Sequence, residues 1–187
     1  MTHSTTDELT TALAADLDRA FPDLVGLLQD DLYSGALRMT GNRADAQDIA
    51  QETFVRAYRA LVEYSPERIR SLQVYGWMWT IALNLCRNRA RGRSRKPEQG
   101  FPEGFDPSST AAGPEQVALA TEAGERLGAQ VAELPWAQRQ AVVLRHVVGL
   151  GYTEIGEVLG RPAGTVKADV HRGLAKLREV VSPEEAR

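Results

Sequence analysis

The residues from Tyr152 to Arg178 constrain this chain more than any other stretch. Two apolar periodicities meet there at Gly160-Arg161-Pro162. Ile155, Val158 and Leu159 give the first an apolar side. Gly160 ends it, since glycine accepts the left-handed conformation of a helix C-terminus. Pro162 suits the first position of the next helix, where no amide donor is needed. Val166, Val170, Leu174, Leu177 and Val181 then recur at the spacing of one helix face. Thr165, Ala168 and Arg172 take the opposite face, flanked by Lys167, His171 and Lys176. This is the helix-turn-helix pattern, in which the second helix enters the major groove of DNA. A plain helical hairpin with a solvated basic face has the same outline. Charge weighs against that reading. From Arg161 to Arg178 there are five basic residues and one acid, Asp169, whereas Glu115 to Gly160 holds six acids and three bases. Positive charge gathers on the one helix that would meet phosphates.

That local patch matters because the 187-residue chain has a net charge of −3 and is no polycation. The length allows one domain or two small ones. Cys86 is the only cysteine, which excludes a disulfide framework and a cysteine-based zinc site. His3, His146 and His171 have no metal-ligand spacing. No metal or cofactor is expected. The N-terminal residues lack the basic start and apolar run of a signal peptide. No apolar run approaches the roughly 20 residues of a membrane span. The expectation is a cytoplasmic protein without membrane insertion.

Upstream, residues 1–21 read as a polar, weakly amphipathic extension carrying Leu9, Leu13 and Leu17. Pro22 opens a helical pattern through Val25, Leu28, Leu32, Ala36 and Met39, broken at Gly41-Asn42. A stronger helix runs from Ala44 to Val62, with Ala46, Ile49, Ala50, Thr53, Phe54, Ala57, Tyr58 and Leu61 inward. Asp45, Asp48, Glu52, Arg56 and Arg59 point outward. Glu63 to Ser71 reads as a loop. The next helix, from about Leu72 to Arg91, runs into six positive charges between Arg87 and Lys96 with no acid among them. Residues 97–114 are rich in proline and glycine and read as a flexible linker. Helical patterns resume at Glu115, and Trp136 to Val148 precedes the helix-turn-helix. The fold class is all-α: two small helical domains, 22–96 and 115–187, joined by that linker.

Three blocks in this order resemble the extracytoplasmic-function (ECF) class of bacterial RNA polymerase sigma factors. They are Thr40 to Ala57, Trp77 to Arg89, and Leu134-Pro135 followed by Gly149 to Arg178. The resemblance covers most of the chain. It departs from the family at Gly156, where alanine is usual, at Asn88, where aspartate is common, and at Asp169, where a basic residue is frequent.

The resemblance implies that residues 22–96 are a region-2-like domain and 115–187 a region-4-like domain. Asp45, Asp48, Gln51 and Glu52 then form a surface for the β′ clamp helices of core polymerase, with the β subunit as a further partner. Acids beside an apolar stripe can pair with arginines on a partner helix. Trp77, Asn84, Arg87, Asn88 and Arg91 would hold the melted −10 element. Aromatic rings stack unpaired bases and arginines follow the backbone, while an asparagine amide offers both donor and acceptor to a base edge. Thr165, Lys167, Ala168, Asp169, His171, Arg172 and Lys176 would meet the −35 duplex. Arg172 is the candidate reader of guanine, and Lys167 a phosphate contact. Asp169 either pairs with Arg172 across one turn and aims it or accepts from a cytosine amine. An anti-sigma factor is a further partner that the resemblance implies.

The expected function is promoter recognition as a polymerase subunit, with −35 reading and −10 melting and no chemistry of its own. The alternative is a helix-turn-helix regulator with a helical sensor or dimerisation domain. Such a regulator has no need of the 45–56 and 77–96 blocks. An enzyme is not expected, since there is no Gly-rich phosphate loop, nucleophile elbow or cluster of His, Asp and Glu.

Overall fold

The computed structural model describes residues 3–93 and 127–181. The described residues are helical throughout, without strands. The elements are α1 (His3–Ala15), α2 (Leu17–Thr40), α3 (Arg43–Val62), α4 (Pro66–Arg70) and α5 (Val74–Arg93), then α6 over residues 127–133, α7 (Trp136–His146), α8 (Tyr152–Leu159) and α9 (Ala163–Val181). The expected linker, 97–114, lies outside the described residues.

The N-terminal extension is more ordered than its weak pattern implied. Leu9 and Leu13 are buried, and α1 packs on α2 and α4. Asp16 then caps α2 by accepting from the Arg19 amide at 3.2 Å. So α2 begins at Leu17, with Pro22 inside it rather than opening it. Pro22 is the sixth residue of α2, past its first turn, so the helix forgoes one bond to the Asp18 carbonyl there. The expected break at Gly41-Asn42 is a shared cap. Gly41 ends α2 at φ 65°, and the Asn42 side chain accepts from the Asp45 amide at 2.9 Å to open α3. Within the stretch read as a loop, Ser65 and Pro66 start the short helix α4.

α2, α3 and α5 form the N-terminal core. Ala46, Ile49, Ala57 and Leu61 of α3 face Leu24, Leu28, Leu32 and Met39 of α2, with Met78, Trp79, Ala82 and Leu83 of α5 completing it. The C-terminal helices pack around Ile155, Val143, Leu144, Val166 and Val170. Gly173 lets α9 close on α7, since a Cβ there would stand 2.6 Å from Val142 Cγ2.

The two halves are not separate bodies in this arrangement. Their buried residues form one continuous core. Arg139 of α7 donates to the Met39 carbonyl at 2.8 Å and the Leu134 carbonyl at 3.0 Å. The Tyr75 hydroxyl of α5 donates to Asp31 Oδ2 at 2.7 Å and lies 3.2 Å from the Val148 carbonyl oxygen. Burial, followed by the Asp31 contact, raises its pKa well above that of a free phenol.

Candidate nucleic-acid and polymerase interface

The exposed residues of α9 between 164 and 179 lie on one side of the helix, with the acid Glu179 among them beside Arg172, while Leu174 packs at the edge of the core. Gly164, Ala168 and Ala175 run along its middle. Lys167, His171 and Arg178 flank them on one edge, with Thr165, Arg172 and Lys176 on the other. A strip of small side chains between cationic edges lets the helix backbone approach a groove floor while the edges reach phosphates. Behind this face Val166 and Val170 are buried. Gly160 closes α8 at φ 63°, as its sequence position demands. Pro162 sits one residue earlier than expected, its carbonyl accepting from Thr165 and Val166.

Asp169 is the member of the expected −35 set that is not on this face. It is only 3% exposed. Arg172 Nη2 donates to its Oδ1 at 2.5 Å, and Arg161 Nη2 stands 2.6 Å from its Oδ2. The Arg161 contact has the geometry of an ion pair, not of an aligned hydrogen bond. The carboxylate is therefore engaged within the protein, and the pairing with Arg172 is the one formed.

In α5 the expected −10 residues share a face as well. Trp77, Asn84, Asn88 and Arg91 follow one another at i, i+7, i+11 and i+14, with Thr80 and Arg87 alongside. Asn84 and Asn88 are exposed, and Trp77 is half-buried against Tyr64, with ring centroids 6.0 Å apart. Trp79 faces the other way and is wholly buried. Arg89 also leaves the arginine cluster. It pairs with Asp48 at 3.0 Å and Asp45 at 3.4 Å, bridging α5 to α3.

On α3, Asp48, Gln51 and Glu52 border a surface that also exposes Val55 and Val62, at 42% and 58%. These valines escaped the sequence reading. Their seven-residue spacing beside Asp48 was the signal that could have found them. Asp45 is half-buried, and Glu52 pairs with Arg56 at 2.8 Å across one turn. Exposed pairs of this kind are worth about 0.2–1 kcal/mol, so a partner's cations can displace them. Among the described residues no group of His, Cys, Asp and Glu is arranged to hold a metal.

These faces coincide with two family regions. Sigma-70 region 2 matches residues 24–96, and Sigma-70 region 4 matches residues 124–177. The chain is 35% identical to the ECF RNA polymerase sigma factor SigW of Bacillus subtilis over 170 residues, covering 86% of this chain and 88% of that one. The chain belongs to the ECF sigma factors of the sigma-70 family. It is also 36% identical over 165 residues to the ECF sigma factor SigE of Mycolicibacterium smegmatis, covering 87% of this chain and 62% of that relative's length. Its fold is that of CnrH, solved in complex with the cytosolic domain of CnrY, with a TM-score of 0.71 at 24% identity over 95% of this chain and 97% of that one. The function of this sigma factor is promoter-directed initiation of transcription by RNA polymerase. No described helix is long and apolar enough to cross a membrane.

Proposed function

We propose that this sigma factor divides its work among three helix faces. The α3 face, with Asp48, Gln51 and Glu52 around Val55 and Val62, docks on core polymerase. The Trp77–Asn84–Asn88–Arg91 face of α5, with Arg87 beside it, holds the single-stranded −10 element. The exposed face of α9, with Thr165, Lys167, Ala168, His171, Arg172 and Lys176, reads the −35 duplex. Residues 22–96 and 115–187 are the corresponding functional units. The protein acts in the cytoplasm without catalysis or cofactor. An anti-sigma partner remains part of the proposal, and CnrH was itself solved with another chain bound.

The observation that carries this reading is the α5 face. A duplex-binding regulator needs α9 alone. A helix that lines up an aromatic ring, two exposed amides and an arginine suits unpaired bases followed by backbone. The test is run-off transcription with core polymerase on duplex and pre-melted templates carrying each base at successive −10 positions. Asn84→Ala is expected to impair initiation from duplex and relax selectivity at one −10 base. A pre-melted bubble partly restores the rate but not the selectivity. Wild-type behaviour of Asn84→Ala on every template removes Asn84 from the site. In the same assay Asp48→Arg with Glu52→Arg abolishes association with core polymerase at unchanged helical content. Co-purification of that double variant at wild-type yield refutes the docking face.

A further inference from the structure

We infer that Asp169 is a positioning residue for promoter reading: shared between Arg161 of the turn and Arg172 of the recognition helix, it fixes the direction in which Arg172 meets a base. This rests on α9 being the −35 helix.

Three observations support it. Asp169 occupies the buried side of α9, in line with Val166, Val170 and Gly173, where a hydrophobic residue would otherwise sit. A carboxylate in that position is costly unless it is paired. Its partners come from two different elements, the turn and one edge of the exposed helix face. The turn itself is held firmly. The Arg161 amide donates to the Gly156 carbonyl at 2.9 Å, and Gly156 has no room for a Cβ beside the Arg161 carbonyl. Arg172 is therefore tied through Asp169 to a rigid point outside its own helix.

The consequence is electrostatic as well as geometric. Arg172 remains more than half exposed while one Nη2 hydrogen is engaged. The rest of its planar fork is left for the paired acceptors of a guanine edge, and a fork held in one orientation loses less freedom on binding. The two arginines and the aspartate together carry one net positive charge. Asp169 thus trades general attraction to phosphates for a directed contact. Removing its charge should raise attraction to any duplex and lower discrimination, a combination that simple destabilisation cannot give.

The experiment uses reconstituted holoenzyme and promoters with each of the four bases at every −35 position, the −10 element held constant. Initiation and promoter affinity are measured at several salt concentrations. The wild type is expected to favour guanine at one position by about tenfold to a hundredfold. Asp169→Asn is expected to reduce that preference to a few-fold while steepening the log–log salt slope by about 0.9, one more phosphate contact. Arg172→Ala abolishes the same preference, and adding Asp169→Asn to it changes the preference no further. A preference retained in Asp169→Asn, with affinity lowered evenly for all bases, overturns the inference. So does a guanine preference that persists in Arg172→Ala and is lost only when Asp169→Asn is added. If Asp169→Asn does not fold by circular dichroism, Arg161→Ala decides. It cuts the tie to the turn while Arg172 keeps its own pairing, so the guanine preference is expected to fall to a few-fold, and a preference retained at the wild-type level overturns the inference. A wild type without preference at any −35 position instead overturns the assignment of α9 itself.

Discussion

Two glycines of α2 should respond oppositely to the same substitution. Gly26 and Gly35 both lie in the interior of that helix. A Gly→Ala change in a helix interior ordinarily stabilises by about 1 kcal/mol, because alanine has less backbone freedom to lose. At Gly26 a Cβ would meet nothing within 4 Å, so the full gain is expected. At Gly35 the Cβ would stand 2.2 Å from Trp79 Cη2 and 2.9 Å from Cζ3. Trp79 is 1% exposed and has nowhere to go. Overpacking of this kind costs typically about 1–3 kcal/mol, and a 2.2 Å approach belongs at the upper end. Net destabilisation at Gly35 is then about 1–2 kcal/mol. For a chain of this length each kcal/mol moves Tm by about 2–4 °C. Gly26→Ala should rise by about 2–4 °C and Gly35→Ala should fall by about 2–8 °C in thermal melts followed by circular dichroism. The contact joins α2 to α5, so Gly35→Ala should also weaken −10 recognition. Trp79→Phe removes the outer ring that holds the clashing atoms, and should make Gly35→Ala less damaging than in the wild type. Stabilisation of Gly35→Ala to the level of Gly26→Ala would refute the packing argument.

Two further outcomes follow from the buried groups. Burial pushes the Cys86 thiol up to about 12 from its ordinary value of 9.0. A raised folded value means stability is fully present below pH 9.0 and is lost as pH rises towards about 12. Cys86→Ala should flatten that alkaline loss in urea titrations, and the native thiol should resist alkylation until the protein unfolds. At Gly156 a Cβ would come within 2.7 Å of the Arg161 carbonyl oxygen. Gly156→Ala should therefore shift the turn and weaken −35 recognition despite its better helix propensity, measured as promoter affinity with the −10 element unchanged.

The helix-turn-helix was legible because its determinants are local. A glycine in the left-handed region and a proline beside it mark the turn whatever packs around them. The α5 set of Trp77, Asn84, Arg87, Asn88 and Arg91 came from the resemblance to the family, and the helix adds that these residues share one face. The short helix α4 had its signal in Ser65-Pro66, a cap followed by a proline at the first position, but charged neighbours made it look like loop. Leu9 and Leu13 gave α1 too weak a stripe to stand alone, and its order comes from packing on α2 and α4. Asp169 defeats pattern reading for another reason. A carboxylate on the buried side of a helix makes sense only once both arginines are seen to reach it. The junction between the halves was equally hidden, since nothing near Arg139 or Tyr75 in sequence indicates partners 100 and 73 residues away.

On the proposed assignment of α5 to the −10 element and α9 to the −35 element, that junction must open when the protein works. Elements named −35 and −10 lie about 25 positions apart, about 85 Å of duplex at about 3.4 Å per base pair. A compact body of about 150 residues has a radius of gyration near 15 Å and is about 40 Å across. The packed arrangement therefore cannot place α9 and α5 on both elements at once. Hydrogen bonds from Arg139 and Tyr75 cross the junction, beside the apolar packing of α5 on α8 and of α2 on α7. Arg139 to the Met39 carbonyl is charge-assisted, worth about 1.5–3 kcal/mol, and the Tyr75 contact is worth about 0.5–1.5 kcal/mol. Polymerase and promoter binding must favour the open form by more than these bonds and the apolar contact together. Gln47→Cys and Glu179→Cys, both exposed, carry a fluorophore pair, with Cys86 too buried to be labelled. Energy transfer should be high in the free protein and fall on binding core polymerase and promoter. Arg139→Ala should lower it in the free protein by favouring the open form about tenfold to a hundredfold. An unchanged distance between free protein and promoter complex would show that both elements are reached without separating the halves, and the geometric argument would fail.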